Sequence, residues 1–138
     1  MTRRTIILTT EDYQRLELLL TSNLAHLVGD SVRLDELRAE MDRARVVPQH
    51  EVPKDAVTMN STVALRDLDT NDLETYTLVY PDCADIANQR LSVLAPIGTA
   101  ILGYRVGDEL RWRVPAGWRR LKVEQVIFQP ERDGALQF

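Results

Sequence analysis

The sequence predicts an α+β fold in which a short antiparallel pair of helices precedes an antiparallel sheet that carries one short helix. Up to Pro48 the apolar residues recur every three or four positions, which is typical of amphipathic helices. After the polar linker "PQHEVPKDAV" they recur at every second position, which is typical of strands. We therefore expect a helical hairpin in residues 1–50 and a sheet domain in residues 51–138.

The first helix is predicted over "TTEDYQRLELLLTSNLAHL". Thr9 or Thr10 can cap its N-terminus, and Glu11 and Asp12 place negative charge in the first turn, where it suits the helix dipole. About eighteen residues would give an arm of roughly 27 Å, which is short for a coiled coil. Its apolar stripe comprises Tyr13, Leu16, Leu19, Leu20, Leu24 and Leu27.

A second helix is predicted from Ser31 to Val47, after a break at Gly29 and Asp30 and before Pro48. Its apolar face comprises Leu34, Leu37, Met41 and Ala44. Two such helices joined by a tight turn form an antiparallel hairpin in which each covers the stripe of the other. Such a hairpin does not require a dimer, so we expect a monomer.

The second half of the chain contains a series of short strand patterns. The turn "DTNDL" between the first two indicates a β-hairpin, "DCADIANQR" is predicted as a loop or short helical turn, and Pro115-Ala116-Gly117 separates the last two strands. The predicted strands are "VTMNSTVALRDL", "ETYTLVYP", "LSVL", "DELRWRVP" and "WRRLKVEQVIFQP".

A short helix is predicted from Pro96 to Leu102. Proline has its φ preset for a first helical turn, and Gly103 can adopt the left-handed conformation that ends a helix. Two turns are too few to be stable without packing on the sheet, so Ile97, Ala100 and Ile101 are expected to face inward. A crossover helix without a further role remains one interpretation.

Composition places the chain among globular proteins: 44% of its 138 residues are apolar and 28% are charged. No run approaches the roughly 18–20 apolar residues that cross a bilayer, so we expect no membrane association and a cytoplasmic location. The single cysteine, Cys83, excludes an internal disulfide and a cysteine zinc site. Asp82 and Asp85 disfavour its thiolate, and we expect a buried or half-buried structural residue.

Other catalytic and metal-binding patterns are weak. His26 lies among helix leucines and His50 in the linker, where exposure is expected, so neither metal nor cofactor is predicted. The sequence contains no glycine-rich phosphate loop.

Charge is unevenly distributed. Residues 51–100 hold three Lys/Arg against eight Asp/Glu, whereas residues 101–138 hold seven against five. Alternation along strands places Arg111 with Arg113, and Arg120 with Lys122, on shared sheet faces. The local basic group comprises Arg111, Arg113, Arg119, Arg120 and Lys122. This group is too small to favour autonomous binding of duplex DNA. Two interpretations remain: a solvated outer face, or a surface that faces nucleic acid or an acidic partner within a larger complex.

Several motifs in combination resemble the bacterial Gre transcription factors and, more closely, the Rnk family of Gre-like regulators of nucleoside diphosphate kinase, in which the arm is shortened. The motifs are "VTMNS" at 57–61, "TLVYP" at 77–81 and "LSVLAPIGTAILGYRVGD" at 91–108. The resemblance implies an FKBP-like C-terminal domain with an N-terminal antiparallel coiled coil. It also implies binding to RNA polymerase at the mouth of its secondary channel.

In the Gre factors the serine-to-proline segment and short helix help to dock on a coiled coil of the largest polymerase subunit. By resemblance, the partner-binding residues here are Ser92, Ala95, Pro96, Ile97 and Ala100. An apolar patch with a polar rim is also what a partner site requires.

The coiled-coil tip, at Gly29, Asp30 and Arg33, departs from the Gre pattern. In those factors paired tip carboxylates hold a catalytic magnesium for RNA cleavage, whereas here Arg33 stands three positions after Asp30. Asp35 and Glu36 lie further along and are expected to be solvated helix surface. We therefore expect a non-enzymatic regulator that competes with other channel-binding factors without stimulating cleavage.

Two alternatives remain open at this point. A peptidyl-prolyl isomerase would follow the fold implied by the resemblance, but fold does not confer function and the few aromatic residues should lie largely in the core. The other is direct contact with nucleoside diphosphate kinase, as opposed to an indirect effect through transcription.

Overall fold

The computed structural model describes residues 6–21, 31–114 and 117–134, without the side chains at positions 31–33, 96 and 112–114. Its mixture of helices with a sheet confirms the predicted α+β class. In chain order the elements are β1 (Ile7–Thr9), α1 (Thr10–Thr21), α2 (Ser31–Asp42), β2 (Arg45–Val47), β3 (Thr62–Asp67), β4 (Leu73–Val79), β5 (Arg90–Ser92), α3 (Pro96–Ile101), β6 (Glu109–Val114), β7 (Gly117–Phe128) and α4 (Pro130–Asp133).

The first helix begins as the sequence predicts. The side-chain oxygen of Thr9 accepts a hydrogen bond from the backbone N–H of Asp12 at 3.1 Å, which satisfies one of the free donors of the first turn. Leu16 and Leu20 are buried, and Tyr13 and Leu19 pack partly buried against the core. The predicted stripe residues Leu24 and Leu27, together with His26 and the break at Gly29 and Asp30, lie outside the described residues.

The second helix is shorter than predicted, because α2 ends at Asp42. Positions 45–47 form β2, which pairs in parallel with β1, and Val47 is aligned with Thr9. The backbone N–H of Arg45 donates to the carbonyl of Ile6 at 2.9 Å, so the chain leaves the helix to complete a two-stranded sheet. The prediction of helix up to Val47 was wrong, because pairing with a distant strand outweighed local helical periodicity.

The main sheet has five strands in the order β5-β4-β3-β7-β6. Its β3–β4, β3–β7 and β6–β7 pairs are antiparallel, as predicted, but β4 and β5 are parallel. The expectation of a purely antiparallel sheet was therefore wrong. The loop between β4 and β5 contains two short 3-10 turns, Pro81–Cys83 and Ile86–Asn88, which agrees with the predicted loop or helical turn.

Two strands start or end differently from their predicted limits. The segment at 57–61 is not part of β3, because Asn60 has a left-handed φ of 67° and the N–H of Thr58 bonds to the Ser61 hydroxyl at 3.0 Å. The "LSVL" strand ends at Ser92, and the N–H of Leu94 bonds back to the Ser92 hydroxyl at 3.0 Å. In both places a serine side chain forms a local turn in place of a ladder hydrogen bond.

Buried residues from both halves of the chain form one hydrophobic cluster. Leu16 on α1 and Leu37 on α2 belong to the same cluster as Val63, Leu78 and Leu121 of the sheet. The helical stripes therefore face the sheet domain as well as each other. The division into a helical hairpin in residues 1–50 and a sheet domain in residues 51–138 remains a prediction.

Two exposure predictions have opposite outcomes. His50 is exposed, as expected for the linker. Cys83 is also exposed, so the expectation of a buried or half-buried residue was wrong. It lies in the 3-10 turn Pro81–Cys83, which loops out beyond the end of β4. Within the described ranges, no helix is long and apolar enough to cross a membrane.

Candidate functional site

The predicted partner-binding segment consists of the end of β5, a turn and α3. Ala95 takes an extended conformation (φ −71°, ψ 151°) immediately before Pro96, which occupies the first helical turn as predicted. The hydroxyl of Thr99 donates to the carbonyl of Val93 at 2.5 Å, and both residues are buried. This hydrogen bond attaches the middle of the helix to the turn that precedes it.

Gly98 allows α3 to lie directly on the chain that leads into it. A Cβ atom at this position would overlap the carbonyl oxygen of Ser92 and lie 3.1 Å from the Cα of Val93. Gly103 ends the segment with a φ of 84°, as predicted, and a side chain there would overlap Ile6. Glycine at these two positions therefore permits close approaches that a side chain would block, of α3 to the Ser92–Val93 backbone and of the chain after α3 to Ile6.

The exposure of α3 is graded from one face to the other. Thr99, Ile101 and Leu102 are buried, whereas Ala95, Ile97 and Ala100 are half-buried and pack against the core. The predicted inward orientation is confirmed fully for Ile101 and partly for Ile97 and Ala100. Four of the predicted partner-binding residues, Ser92, Ala95, Ile97 and Ala100, are thus half-buried. The structure describes only the backbone of the fifth, Pro96.

The predicted tip residues cannot be assembled into a site. Gly29 and Asp30 lie outside the described residues, and Arg33 is placed in α2 by its backbone. Asp35 and Glu36 are exposed on α2, as expected for helix surface. Within the described part of the chain, no group of three or more His, Cys, Asp or Glu residues could hold a metal ion.

The predicted basic group divides between the two faces of the β6–β7 pair. Arg111 lies directly opposite Arg120, Glu109 opposite Lys122, and position 113 opposite Trp118 in the strand register. Directly opposed residues share a face, so Arg111, Arg120 and Lys122 lie on one side of the sheet. Strand alternation predicted that Arg120 and Lys122 share a face, but the register between the two strands adds Arg111 to it.

Arg119 points to the other face. Its guanidinium forms ion pairs with Asp67 at 3.1 Å and Glu74 at 2.9 Å. Backbone N–H groups of Thr70 and Asp69, with Arg119 as a further contributor, hold the pKa of the Asp67 carboxyl below its usual value. Arg119 is therefore a structural residue that closes the β3–β4 turn.

No sequence pattern indicated a buried polar bridge between the arm and the sheet. The hydroxyl of Tyr80 donates to the carboxylate of Asp12 at 2.8 Å, and the Arg15 guanidinium lies 4.1 Å from the centroid of the Tyr80 ring. Burial is the main cause that raises the pKa of Asp12 to about 6, opposed by the hydrogen bond from Tyr80. Burial and the neighbouring Asp12 also raise the pKa of Tyr80.

A second polar chain lies close by in the structure. The Thr58 hydroxyl donates to the carboxylate of Glu131 at 2.7 Å and lies 2.8 Å from the Ser61 hydroxyl. Glu131 is on α4, so this chain connects the C-terminal helix with the segment before β3. Sequence separations of 68 between Asp12 and Tyr80 and 73 between Thr58 and Glu131 explain why no local pattern could find either contact.

Comparison with known proteins places these features in a family. Residues 52–128 match the family model described as transcription elongation factor GreA/GreB, C-term, and residues 4–47 match the model described as Rnk N-terminus. The regulator of nucleoside diphosphate kinase of Escherichia coli strain K12 is 42% identical over 135 residues, which cover 97% of this chain and 97% of that protein. Transcription elongation factor GreA of Syntrophotalea carbinolica is 37% identical over 95 residues, which cover 69% of this chain and 58% of that protein.

Two solved structures are also similar to this chain. The prokaryotic transcription elongation factor GreA/GreB from Nitrosomonas europaea matches with a TM-score of 0.78 at 38% identity, over 91% of this chain and 100% of that chain. The transcription factor Gfh1 matches with a TM-score of 0.52 at 24% identity, over 93% of this chain and 100% of that chain, and shares the fold. The chain therefore belongs to the Rnk family, the regulators of nucleoside diphosphate kinase, within the GreA/GreB-like transcription factors.

Proposed function

We propose that this protein is a non-enzymatic regulator that binds bacterial RNA polymerase near its secondary channel, on the coiled coil of the largest subunit. There it would modulate transcription by occupying the channel entrance in competition with Gre-type factors. The observation that carries the proposal is the rigid mounting of α3, a two-turn apolar helix at the surface of a Gre-like domain.

The contact would use the turn and the half-buried side of the helix. The Thr99 bond to Val93 and the close approach at Gly98 fix the helix before any partner arrives. A preorganised helix loses little conformational freedom on docking, and its small and β-branched residues can pack between the ridges of a partner helix pair. The proposed contact residues are Ser92, Ala95, Pro96, Ile97 and Ala100.

We propose that cleavage stimulation is absent. Arg33 stands where the partner of a tip carboxylate at Asp30 would be needed, and an arm of roughly 27 Å is poorly suited to reach a buried active centre. In this reading α1 and α2 belong to a short coiled coil, and the main sheet with α3 belongs to an FKBP-like domain.

The proposal carries two further expectations. Bacterial RNA polymerase works in the cytoplasm, so this regulator would work there too. The buried leucines of α1 and α2 are covered within the chain, so it would act as a monomer. Elution from a sizing column at the mass of a dimer would contradict the second expectation.

The test compares binding of the wild type and of Ile97→Asp to core RNA polymerase. If Ile97 is desolvated on docking, an unpaired carboxylate there should cost about 3–5 kcal/mol and weaken binding by more than about a hundredfold. Ile127→Asp is the matched control, because Ile127 is 47% exposed on β7, away from α3. Circular dichroism must show that both variants fold. Equal binding by Ile97→Asp, or no binding by the wild type, would refute the proposed site.

Function is tested separately on stalled transcription complexes. We expect the protein to reduce the RNA cleavage that a Gre factor stimulates, and to stimulate none alone. An isomerase assay on a proline tetrapeptide should show no rate above background. Cleavage or isomerisation that depends on this protein would show that it acts as an enzyme or an enzyme cofactor.

The name of the Escherichia coli relative, regulator of nucleoside diphosphate kinase, favours a second candidate, which is direct contact with that kinase. The two purified proteins should then comigrate on a sizing column in the absence of polymerase. Separate elution would leave an indirect effect through transcription.

A further inference from the structure

The outer face of the β6–β7 pair carries an aromatic side chain among cations. Trp118 is 54% exposed, and the Arg111 guanidinium lies 4.8 Å from the centroid of its ring. Arg120 and Lys122 follow at alternate positions of β7 and therefore share this face. We call Arg111, Trp118, Arg120 and Lys122 the Trp118 face.

The arrangement of the two arginines is unfavourable for the fold by itself. Arg111 and Arg120 are directly opposed across an antiparallel pair, where like charges repel. Arg120 is paired with Asp69 at 2.9 Å, but both side chains are about half exposed, and such pairs contribute little and exchange readily. A bound polyanion would relieve this repulsion.

A concavity adjoins the two arginines. It has a volume of about 430 Å³ and is lined by Tyr104, Glu109, Leu110, Arg111 and Arg120. That volume falls in the range that holds a small organic ligand such as one nucleotide. The tyrosine and the two cations provide a place for a base and its phosphate.

We propose that the Trp118 face binds single-stranded nucleic acid, with a base stacked on Trp118 and phosphates at Arg111, Arg120 and Lys122. Aromatic side chains flanked by cations bind single strands with little sequence preference, because every base has a π-face. Arg111 keeps the indole ring in place through its cation–π contact.

Binding to this face is weak in the isolated protein. The face offers three cations, with Glu109 opposite Lys122 and a chain net charge of −4. A single strand held close by a larger complex would be captured more effectively, because tethering raises its effective concentration. The inference goes beyond the proposed function, since binding of a free oligonucleotide needs no polymerase.

The experiment measures fluorescence anisotropy of labelled oligo-U and oligo-dT, about 12 nucleotides long, and of a duplex of equal length, at about 50 mM salt. We expect both single strands to bind more tightly than the duplex. Three phosphate contacts predict a slope of log affinity against log salt of about −2. Tighter binding of oligo-U than of oligo-dT would identify RNA as the preferred strand. Equal affinity for the two would show that the protein contacts bases and phosphates and does not read the sugar. Both results support the inference.

Variants locate the site. Trp118→Ala should weaken binding roughly 5- to 150-fold, the loss expected for one stacked base. Leu73→Ala removes another exposed large side chain, 53% exposed on β4, and should leave affinity unchanged. Arg111→Gln should make the salt slope shallower by about 0.7, whereas Arg90→Gln, exposed on β5 at the opposite edge of the sheet, should not.

Three results would overturn the inference. They are no binding of either single strand, unchanged affinity of a folded Trp118→Ala variant, and preference for the duplex. Failure here is distinguishable from failure of the proposed function, because Ile97→Asp tests polymerase binding on a different element. If oligonucleotides do not bind but Arg111→Gln weakens polymerase binding, the face contacts protein and the inference is wrong.

Discussion

Replacing Tyr80 with phenylalanine isolates the buried bridge between α1 and the sheet. The substitution keeps the aromatic ring beside Arg15 and removes only the hydroxyl, which donates to Asp12 at 2.8 Å. Asp12 is 9% exposed, so water has little access to replace that donor. A hydrogen bond to a buried charged group contributes about 1.5–3 kcal/mol, and one to a neutral group about 0.5–1.5 kcal/mol.

The magnitude should depend on pH, because the pKa of Asp12 is raised to about 6 in the folded protein from an ordinary 3.8. A raised carboxyl pKa means that the folded state binds the proton more tightly than the unfolded state. Its stabilising contribution is therefore complete below about pH 4 and is lost as pH rises through about 6, by about 3 kcal/mol in total. Above that range Tyr80 donates to a charged carboxylate, so its removal costs most there.

We expect Tyr80→Phe to reduce the free energy of unfolding by about 2 kcal/mol near pH 8 and by about 1 kcal/mol near pH 5. Urea unfolding followed by circular dichroism gives both values. Tyr76→Phe is the matched control, because the Tyr76 hydroxyl donates at 3.0 Å to Glu74, which is half-buried, and water can replace it there. Its cost should be smaller and similar at both pH values.

Asp12→Asn provides an independent check on the same bridge. This variant lacks the titrating carboxyl. As pH rises from about 4 to 7, the free energy of unfolding of the wild type should therefore fall relative to that of Asp12→Asn. An equal cost of Tyr80→Phe at both pH values, or a wild-type profile parallel to that of Asp12→Asn, would refute the argument.

Two further predictions concern the mounting of α3. Gly98→Ala should reduce the free energy of unfolding by about 2–3 kcal/mol, because the added Cβ would overlap the backbone at Ser92. The control is Gly107→Ala, where the added Cβ meets open space and only the φ of 95° is unfavourable, so the cost should be about 1–2 kcal/mol. Equal costs for the two variants would contradict the packing argument. Thr99→Val should reduce the free energy of unfolding by about 1–3 kcal/mol, because it leaves the buried carbonyl of Val93 without its donor at 2.5 Å. The control, Thr75→Val on β4, should change the free energy of unfolding by less than about 0.5 kcal/mol. Urea unfolding measures all four, and a neutral Thr99→Val would exclude a role for that hydrogen bond.

Local patterns predicted the elements whose cause is local. Pro96 and Gly103 delimit α3 because proline presets φ and glycine accepts a φ of 84°. Thr9 caps α1 for a reason contained in four residues. Strand alternation likewise placed Arg120 and Lys122, two positions apart on β7, on one face.

The motifs also carried the family assignment, since the matched regions, residues 4–47 and 52–128, span both predicted parts of the chain. Docking through α3 and the role of the tip were not decided by it. Those predictions depend on a partner, and they remain to be measured.

By itself, then, the sequence determined the α+β class, the short helix and the family, because these depend on side-chain periodicity, backbone conformation and ordered motifs. Tertiary structure alone decided that residues 45–47 form a parallel strand, that Cys83 is exposed and that Arg119 leaves the basic group for Asp67 and Glu74. It also brought Tyr80 to Asp12. Each of these depends on which distant segment lies alongside, and burial and pairing between distant segments outweigh the weak propensities of a few residues.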